Sequence, residues 1–296
     1  MRFVTFQEGG TTRAGVLDAA GEEATVVDLA HPAFAGAMPG TAPDVLALVQ
    51  AGLAGVAAAI AAVEVPEAAR LPLAAVRLLA PIERPPLIIG AAHNFRDAIA
   101  ERGMEPPAAP VVFIKAPETV VGTGEPIVLP AGIGGVTYEA ELAAVIGRAG
   151  RDIAAADALD HVAGYAAFND ISASELIKQE GNFLRGKNFP TFAPFGPYLA
   201  TADEIADPQD VAISLSVDGT ALQDGTTATM LFSVAELIAA LSREYDLVPG
   251  TVIATGTPGG VAPVRKPPTW LRPGTTVTMS VAGLGTLANP VVEGTA

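Results

Sequence analysis

The amino-acid sequence predicts an α+β protein that is mainly β. Short apolar stretches bounded by Gly, Pro, Asn or Asp outnumber the stretches with helical periodicity. Many of them occur in pairs around a turn, as in antiparallel hairpins, whereas a doubly wound sheet would alternate strands with helices. A proline-punctuated connector, Val65–Pro86, interrupts the chain. We therefore expect a small N-terminal α+β domain at residues 1–75 and a main domain at residues 76–296.

The N-terminal stretch is predicted to form three strands followed by one helix. The strands are expected at Met1–Phe6, Arg13–Leu17 and Thr25–Leu29. Gly21 supplies a turn between the last two. The helix is expected at Ala42–Val63, with Pro43 in its first turn, where the missing N–H has no helical partner to lose.

The main domain is predicted to contain most of the strands. They are expected at Leu87–Ala91, Val111–Lys115, Gly122–Leu129, Val136–Gly147, His161–Phe168, Val211–Val217, Ala221–Thr226, Val252–Ala254, Thr275–Ala282 and Leu284–Val292. Helices are expected at His93–Arg102, Ser172–Gln179 and Phe232–Tyr245. Asp218-Gly219 favours the positive φ angles of a tight hairpin turn. Ser233, with Glu236 three residues later, has the pattern of a helix capping box.

Composition and charge exclude several classes of function. The chain has 296 residues, a net charge of −15 and a pI of about 4.5, which argues against nucleic acid and anionic membranes as partners. It has no cysteine and three histidines, so a thiolate site is excluded and a zinc site is disfavoured. Neither a signal peptide nor an apolar run long enough to span a membrane is visible. We therefore expect a cytoplasmic protein with a small-molecule substrate.

Two acids flank an alanine in the predicted strand Val136–Gly147. Alternate side chains of a strand leave the same face, so Glu139 and Glu141 should present adjacent carboxylates. A third acid, Asp170, follows another apolar run. Adjacent carboxylates repel unless a proton or cation lies between them, and three of them suit Mg²⁺ or Mn²⁺. A polar strand face with solvated acids is the alternative interpretation.

Seven stretches carry a resemblance to a known family. They are Asn94-Phe95-Arg96-Asp97, Phe113-Ile114-Lys115, Tyr138-Glu139-Ala140-Glu141-Leu142, Gly164-Tyr165 through Asn169-Asp170-Ile171-Ser172-Ala173, Arg185-Gly186-Lys187-Asn188-Phe189, Phe195-Gly196-Pro197 and Thr255-Gly256-Thr257-Pro258. In order and spacing they resemble the fumarylacetoacetate hydrolase family, over roughly residues 80–293. The resemblance implies a mixed β-roll catalytic domain, usually in a homodimer. It also implies that Glu139, Glu141 and Asp170 hold a Mg²⁺ or Mn²⁺ ion.

The resemblance also implies a substrate class and further site residues. The family acts on 2-oxo or 2,4-dioxo acids, which its members hydrolyse, decarboxylate, isomerise or hydrate. Lys187 matches a lysine that contacts substrate oxygens, and Thr257 matches a threonine that binds the substrate carboxylate. Glu101 matches the acid of a His–Glu dyad on a mobile lid helix.

The chain departs from the family pattern at three positions. Ala98 stands where the family has its water-activating histidine, and Ser174 stands where it has a substrate-binding arginine. Ile177 replaces a frequent glutamine. The sequence thus keeps the metal ligands, Lys187 and Thr257, but not the usual base.

Two residues could replace the missing base, and the reaction stays open. His93 could be a displaced general base, and Glu101 could act directly or through water. The first hypothesis is a metal-dependent enzyme that breaks a C–C bond of an oxo acid, by hydrolysis or decarboxylation, through a metal-stabilised enolate. The alternatives are a keto–enol isomerase or hydratase of the same family, or a metal-binding pseudoenzyme.

Overall fold

The computed structural model describes residues 1–19, 24–38 and 44–294. Gly21 and Pro43, predicted to form a turn and a helix start, lie outside these ranges. The strands of the described residues are β1 (Arg2–Glu8), β2 (Thr11–Asp18), β3 (Thr25–Asp28), β4 (Arg70–Pro72), β5 (Arg77–Leu78), β6 (Ile88–Ala92), β7 (Val111–Lys115), β8 (Val120–Val121), β9 (Ile127–Leu129), β10 (Val136–Thr137), β11 (Ala140–Ile146), β12 (Val162–Asn169), β13 (Ser172–Ala173), β14 (Ala193–Thr201), β15 (Ala212–Val217), β16 (Thr220–Thr226), β17 (Val252–Ala254), β18 (Thr276–Val281) and β19 (Thr286–Glu293). The α-helices are α1 (Val45–Gln50), α2 (Leu53–Ala61), α3 (Arg96–Arg102), α4 (Ser174–Glu180) and α5 (Val234–Glu244).

Most strands belong to one large mixed sheet. Its order is β4-β3-β2-β1-β14-β12-β11-β17-β6-β7, with β5 paired to β1 and β8 paired to β14. Neighbouring strands in it are antiparallel except for the pairs β17–β6 and β14–β8. A second sheet has the order β16-β15-β18-β19-β9, and β10 pairs with β13. The predicted fold class, α+β and mainly β, is confirmed.

Strand β1 joins the N-terminal strands to the rest of the large sheet. Phe3 of β1 is paired with Leu199 of β14 in antiparallel register. Leu48 of α1 and Leu53 of α2 belong to the same buried cluster as Phe3 and Phe168. The expected division between residues 75 and 76 therefore crosses a continuous sheet, and the independence of the two parts stays a prediction.

The centre of the large sheet brings several strand ends to one edge. Ala140, the first residue of β11, lies opposite Asn169, the last residue of β12. Strand β17 is antiparallel to β11 and parallel to β6, so the carboxyl ends of β6, β12 and β17 meet the start of β11. Polar residues that follow these strands are thereby collected at one place.

The predicted strand Val136–Gly147 is two strands in the structure. β10 pairs with β13 and β11 pairs with β12, so the chain changes partner at Tyr138 and Glu139. The backbone N–H of Glu139 donates to the side-chain oxygen of Asn169 at 3.0 Å rather than to a strand carbonyl. Glu139 therefore precedes β11 instead of lying inside a strand.

The predicted helix Ala42–Val63 is divided into α1 and α2. Gly52, which lies between them, has a φ of 94°, a conformation that residues with a side chain rarely adopt. Strand β14 was not predicted from the sequence, although it is buried along its whole length. It contains Gly196-Pro197, a dipeptide that is typical of turns.

Several local predictions are confirmed. The Ser233 side chain accepts from the backbone of Glu236, and the Glu236 side chain accepts from the backbone of Ser233, which completes the capping box of α5. Asp218 and Gly219 both have positive φ in the turn between β15 and β16. Among the described residues, no helix is both long and apolar enough to cross a membrane.

Candidate metal and substrate site

Three carboxylates meet where β11 and β12 lie side by side. Glu139 and Glu141 stand at the start of β11, and Asp170 directly follows β12. The backbone N–H of Asp170 donates to the carbonyl oxygen of Glu139 at 2.9 Å, which holds the two strand ends together. One oxygen of each carboxylate lies within 4.8 Å of the others, and Glu141 and Asp170 are buried. The structure thus brings together the three acids predicted as metal ligands.

The donor set of this cluster fits a hard divalent ion. Carboxylate oxygens are the ligands that Mg²⁺ and Mn²⁺ prefer, and a separation within 4.8 Å allows them to share one ion. Buried carboxylates also require compensating positive charge. The three acids could therefore hold a metal ion, and their oxygens suit both Mg²⁺ and Mn²⁺.

Two buried lysines neutralise part of the negative charge. Lys187 Nζ donates to Glu139 Oε2 at 2.8 Å and also to Asp170 Oδ2. Lys115 Nζ donates to Asp170 Oδ1 at 2.7 Å and to the backbone carbonyl of Lys187 at 2.7 Å. No role for Lys115 is predicted from the sequence. A signal was available, since a lysine that ends the apolar run Val111–Lys115 can be buried only with a partner.

Burial and neighbouring charges shift the pKa values of the clustered acids and of Lys187 in different directions. Burial raises the pKa of Glu141 well above its ordinary value of 4.5, and the charges of Asp170 and Glu139 raise it further. Burial would also raise the pKa of Asp170, but Lys115 and Lys187 outweigh it and lower that pKa. The pKa of Lys187 is raised, because Asp170 and Glu139 outweigh its burial. Asp170 is therefore ionised, Lys187 is protonated, and Glu141 retains a proton most readily.

The turn after β17 supports the start of β11. The backbone N–H of Gly256 donates to Glu141 Oε2 at 2.9 Å. Thr257 Oγ1 donates to the carbonyl of Ala140 at 2.9 Å and accepts from Gln223 Nε2 at 2.7 Å. Gln223 was missed in the sequence analysis, because its partners lie 34 and 83 residues away along the chain.

A cavity of about 520 Å³ opens beside the carboxylates. Its polar lining includes His93, Arg102, Glu139, Glu141, Ser174, Lys187 and Thr257. Its apolar lining includes Ala98, Met104, Ile177, Phe183 and Pro263. All three departures from the family pattern thus face one cavity. A larger cleft of about 740 Å³ beside α2 contains none of the predicted site residues, so chemistry and not size selects the site.

His93 and Arg102 form a pair at the edge of this cavity. Arg102 Nη1 lies 2.9 Å from His93 Nδ1. An arginine can only donate, so His93 Nδ1 is the acceptor and the ring proton is on Nε2. Burial lowers the pKa of His93, and the charges of Arg102 and Lys187 lower it further. His93 is thus a neutral ring whose Nδ1, the atom a base would use here, is occupied.

Glu101 is not brought into the cavity. Its Oε2 accepts from the backbone N–H of Gly260 at 2.7 Å. Asp97, one turn earlier on α3, accepts from the backbone N–H of Gly259 at 2.9 Å. Both acids therefore hold α3 against the loop that follows β17.

Comparison with known proteins finds relatives that match most of the chain. The human mitochondrial oxaloacetate tautomerase is 40% identical over 224 residues, which cover 75% of this chain and 71% of that protein. Fumarylacetoacetate hydrolase from Exiguobacterium antarcticum superposes with a TM-score of 0.84 at 34% identity, covering 99% of this chain and 100% of the other. A 5-carboxymethyl-2-hydroxymuconate delta-isomerase from Mycobacterium smegmatis superposes with a TM-score of 0.78 at 31% identity, covering 100% of both chains.

The family assignment rests on most of the chain. Residues 87–292 match the fumarylacetoacetate (FAA) hydrolase C-terminal domain. This stretch contains the three carboxylates, both lysines, α3 and the turn after β17. The chain belongs to the fumarylacetoacetate hydrolase family.

Proposed function

We propose that this protein is a metal-dependent enzyme that moves a proton within a 2-oxo or 2,4-dioxo acid, a keto–enol tautomerase or isomerase. The observation that supports it most is the content of the cavity. A cluster that could hold a metal ion stands beside a protonated lysine, Lys187. Among the described residues that line it, the only imidazole, His93, has its Nδ1 engaged by Arg102. Such a site suits proton transfer better than activation of water.

Each group has a role in this proposal. Glu139, Glu141 and Asp170 would hold Mg²⁺ or Mn²⁺, which when bound would stabilise negative charge on the 2-oxo oxygen. Lys187 donates a proton to the carbon next to the oxo group and recovers the proton released from the enol hydroxyl. The net change is one proton moved from oxygen to carbon, or the reverse, with no atom added. Thr257 would contact the substrate carboxylate in exchange for its bond to Ala140.

The first hypothesis from the sequence was C–C cleavage by hydrolysis or decarboxylation, and of these two reactions hydrolysis has the weaker support. Attack by water requires a base within hydrogen-bond distance. Ala98 occupies the position of the family histidine, and Glu101 is bonded to Gly260 away from the cavity. Decarboxylation of a β-keto acid needs no such base, so it is the second activity that this site supports.

The relatives include both isomerising and hydrolysing enzymes. One is an oxaloacetate tautomerase and another a muconate isomerase, and both names describe rearrangement without added water. A third is a fumarylacetoacetate hydrolase, so the family alone does not select the reaction. The selection here rests on the absence of a free base among the described cavity residues.

The experiment compares three reactions of one protein. Tautomerisation of oxaloacetate is followed by enol absorbance and by deuterium uptake at C3, with decarboxylation of oxaloacetate and hydrolysis of acetylpyruvate measured in parallel, each with and without Mn²⁺. We expect metal-dependent tautomerisation that Glu141→Gln abolishes and Lys187→Met lowers by about 100-fold or more. Lys266→Met, which removes an exposed lysine outside the cavity, should have no effect. Faster hydrolysis than tautomerisation would contradict the proposal, and no metal-dependent turnover at all would favour a ligand-binding pseudoenzyme.

A further inference from the structure

The last residue of α3 brings a positive charge into the cavity. Arg102 ends this short helix, and Gly103 after it adopts the left-handed conformation, with a φ of 61°. The Arg102 side chain is 22% exposed and lines the cavity. It comes from the helix that also carries Ala98, on the side of the cavity contributed by α3. Position 174, where the family pattern has an arginine, belongs to α4 and is a serine here.

Most of the donors of Arg102 have no partner among the residues that the structure describes. Among the described residues, its guanidinium makes one hydrogen bond, to His93 Nδ1 at 2.9 Å. Its Nη2 lies 4.0 Å from Glu139 Oε1, which is beyond hydrogen-bond distance. A guanidinium has five N–H donors in a planar fork that matches a carboxylate. The remaining donors are available to an anion in the cavity.

The other positive side chains of the cavity are in a different situation. Lys187 already donates two hydrogen bonds, to Glu139 and Asp170, and its role in the proposed function is proton transfer. Lys178 is exposed on α4. Among the described residues that line the cavity, Arg102 is therefore the cation that combines partial burial with free donors.

His93 has the features of a residue that orients Arg102. It follows β6 with a φ of 56°, which is uncommon for a residue other than glycine and persists only where the surroundings impose it. Its ring lies 6.5 Å from the ring of Phe183 and is kept neutral by burial, so that Nδ1 remains an acceptor. A neutral imidazole can hold a guanidinium without cancelling its charge, whereas a carboxylate in that place would compete with the ligand.

We infer that Arg102 binds a carboxylate of the oxo-acid substrate through its guanidinium fork and that His93 is the positioning residue that aims it. The inference rests on the proposed function for the class of substrate. The contact to the substrate carboxylate would then come from Arg102 on α3 and not from position 174 on α4. Docking of α3 against the rest of the protein would therefore complete the binding site. Arg102 is a substrate-binding residue, and His93 acts through it.

Oxalate binding to the Mn²⁺-loaded full-length protein tests this inference by calorimetry. We expect Arg102→Met to weaken oxalate binding by about 10- to 100-fold, the loss typical of a charge-assisted hydrogen-bonded pair. Arg102→Lys should recover part of it, because the charge remains and the fork is lost. His93→Asn, which tolerates a positive φ, should cause a smaller loss. Arg96→Met, exposed on the same helix, should bind as the unmodified protein does.

The Mn²⁺ affinity and the thermal midpoint of each variant separate binding from structure. We expect both to stay unchanged in Arg102→Met, or the Mn²⁺ affinity to rise, since a positive charge near Glu139 is removed. Unchanged oxalate affinity in Arg102→Met would overturn the inference alone. If oxalate affinity, Mn²⁺ affinity and the thermal midpoint all fall together in Arg102→Met, Arg102 has a structural role and the inference is overturned as well. If the unmodified Mn²⁺-loaded protein does not bind oxalate, the proposed substrate class fails together with the inference.

Discussion

Glu141 is the acid of the cluster that lacks a lysine partner. Lys187 contacts Glu139 and Asp170, and Lys115 contacts Asp170, while Glu141 accepts from the backbone of Gly256. Burial raises the pKa of Glu141 well above 4.5, with Asp170 and Glu139 adding to the effect. The proton that would neutralise this buried charge is the one that a metal ion would have to displace.

Metal binding should therefore release protons at mildly acidic pH. Because the pKa of Glu141 is raised, its protonated form persists above pH 4.5, and the affinity for Mn²⁺ should fall as pH falls through the raised pKa. Calorimetry at pH 6 in two buffers of different ionisation enthalpy measures the protons released. Glu141→Gln, which has no proton to lose at this position, should reduce the buffer dependence and weaken binding, and the remainder would come from Glu139, whose pKa burial also raises. Identical heats in both buffers for the unmodified protein would contradict this prediction.

Ala98 marks the place where a catalytic base can be restored. It is 5% exposed and lines the cavity, one turn before Glu101 on α3. We expect acetylpyruvate hydrolysis to be weak in the native protein and to rise in Ala98→His, since a positioned base contributes roughly 100- to 10,000-fold. The gain should lie at the low end, because Glu101 is bonded to Gly260 and Ser174 and Ile177 leave the substrate contacts incomplete.

The control for this substitution is Ala100→His, because Ala100 is exposed on the same helix. Values of kcat/KM for acetylpyruvate and for oxaloacetate decarboxylation are compared in all three proteins. Efficient native hydrolysis that survives both Glu101→Gln and His93→Ala would show that another base is present.

Among the site residues, the sequence identifies those whose side-chain type and motif already indicate a role. The three acids and Lys187 stand in motifs with recognisable spacing, and the structure brings them together. Arg102 and Gln223 were not identified, because each is defined by a partner that only the tertiary structure supplies. The spacing of His93 and Arg102 in the sequence does not predict that His93 Nδ1 accepts a hydrogen bond from the Arg102 guanidinium.

Among the elements, α3 is held in place by two acids of its own. Asp97 and Glu101 accept from consecutive backbone N–H groups, of Gly259 and Gly260, and Phe95 and Ile99 are buried. The helix that the family resemblance implies to be a mobile lid, α3, is thus docked in this structure. Its release and closure stay a prediction.

Weakening one of these bonds should loosen α3 without affecting chemistry. An amide oxygen is a weaker acceptor than a carboxylate, so we expect Glu101→Gln to speed hydrogen exchange of Arg96–Gly103 by about tenfold. Exchange in β11 should be unchanged, and kcat should fall less than tenfold. Glu105→Gln, an exposed acid just beyond the helix, is the control. A loss of 100-fold or more in kcat with unchanged exchange would instead identify Glu101 as the base.

The predicted elements failed where tertiary contacts override a local pattern. Val136–Gly147 has the composition of one strand, yet the side chain of Asn169 captures the N–H of Glu139 and the ladder changes partner there. Conversely, β14 contains Gly196-Pro197, which indicates a turn locally, but pairing with β1 and β12 keeps it in the sheet. A strand could be predicted from the sequence where the alternation of its own side chains decides the structure and no tertiary contact overrides it.

For the molecule as a whole, one sheet links the N-terminal strands to the cluster of three carboxylates. The order runs from β3 and β2 through β1 and β14 to β12 and β11, whose ends carry the carboxylates. The Thr5 side chain also donates to the carbonyl of Pro81 at 2.8 Å, beyond the expected domain boundary. The homodimer implied by the family resemblance stays a prediction, which light scattering of the purified protein would check.

A core substitution in the N-terminal part should therefore destabilise the part that carries the three carboxylates equally. Phe3 is fully buried in a cluster with Phe168 and Phe195, so Phe3→Ala should lower the free energy of unfolding by about 3–5 kcal/mol. The single tryptophan, Trp270, reports on the other buried cluster. If the continuous sheet unfolds as one unit, the urea midpoint of Trp270 fluorescence should shift together with the circular dichroism signal. Ile114→Ala, at an exposed position of the edge strand β7, is the control. It should shift neither urea midpoint by more than a small fraction of the shift that Phe3→Ala causes. Two separate transitions, with the Trp270 midpoint unmoved by Phe3→Ala, would instead establish residues 1–75 and 76–296 as independent domains.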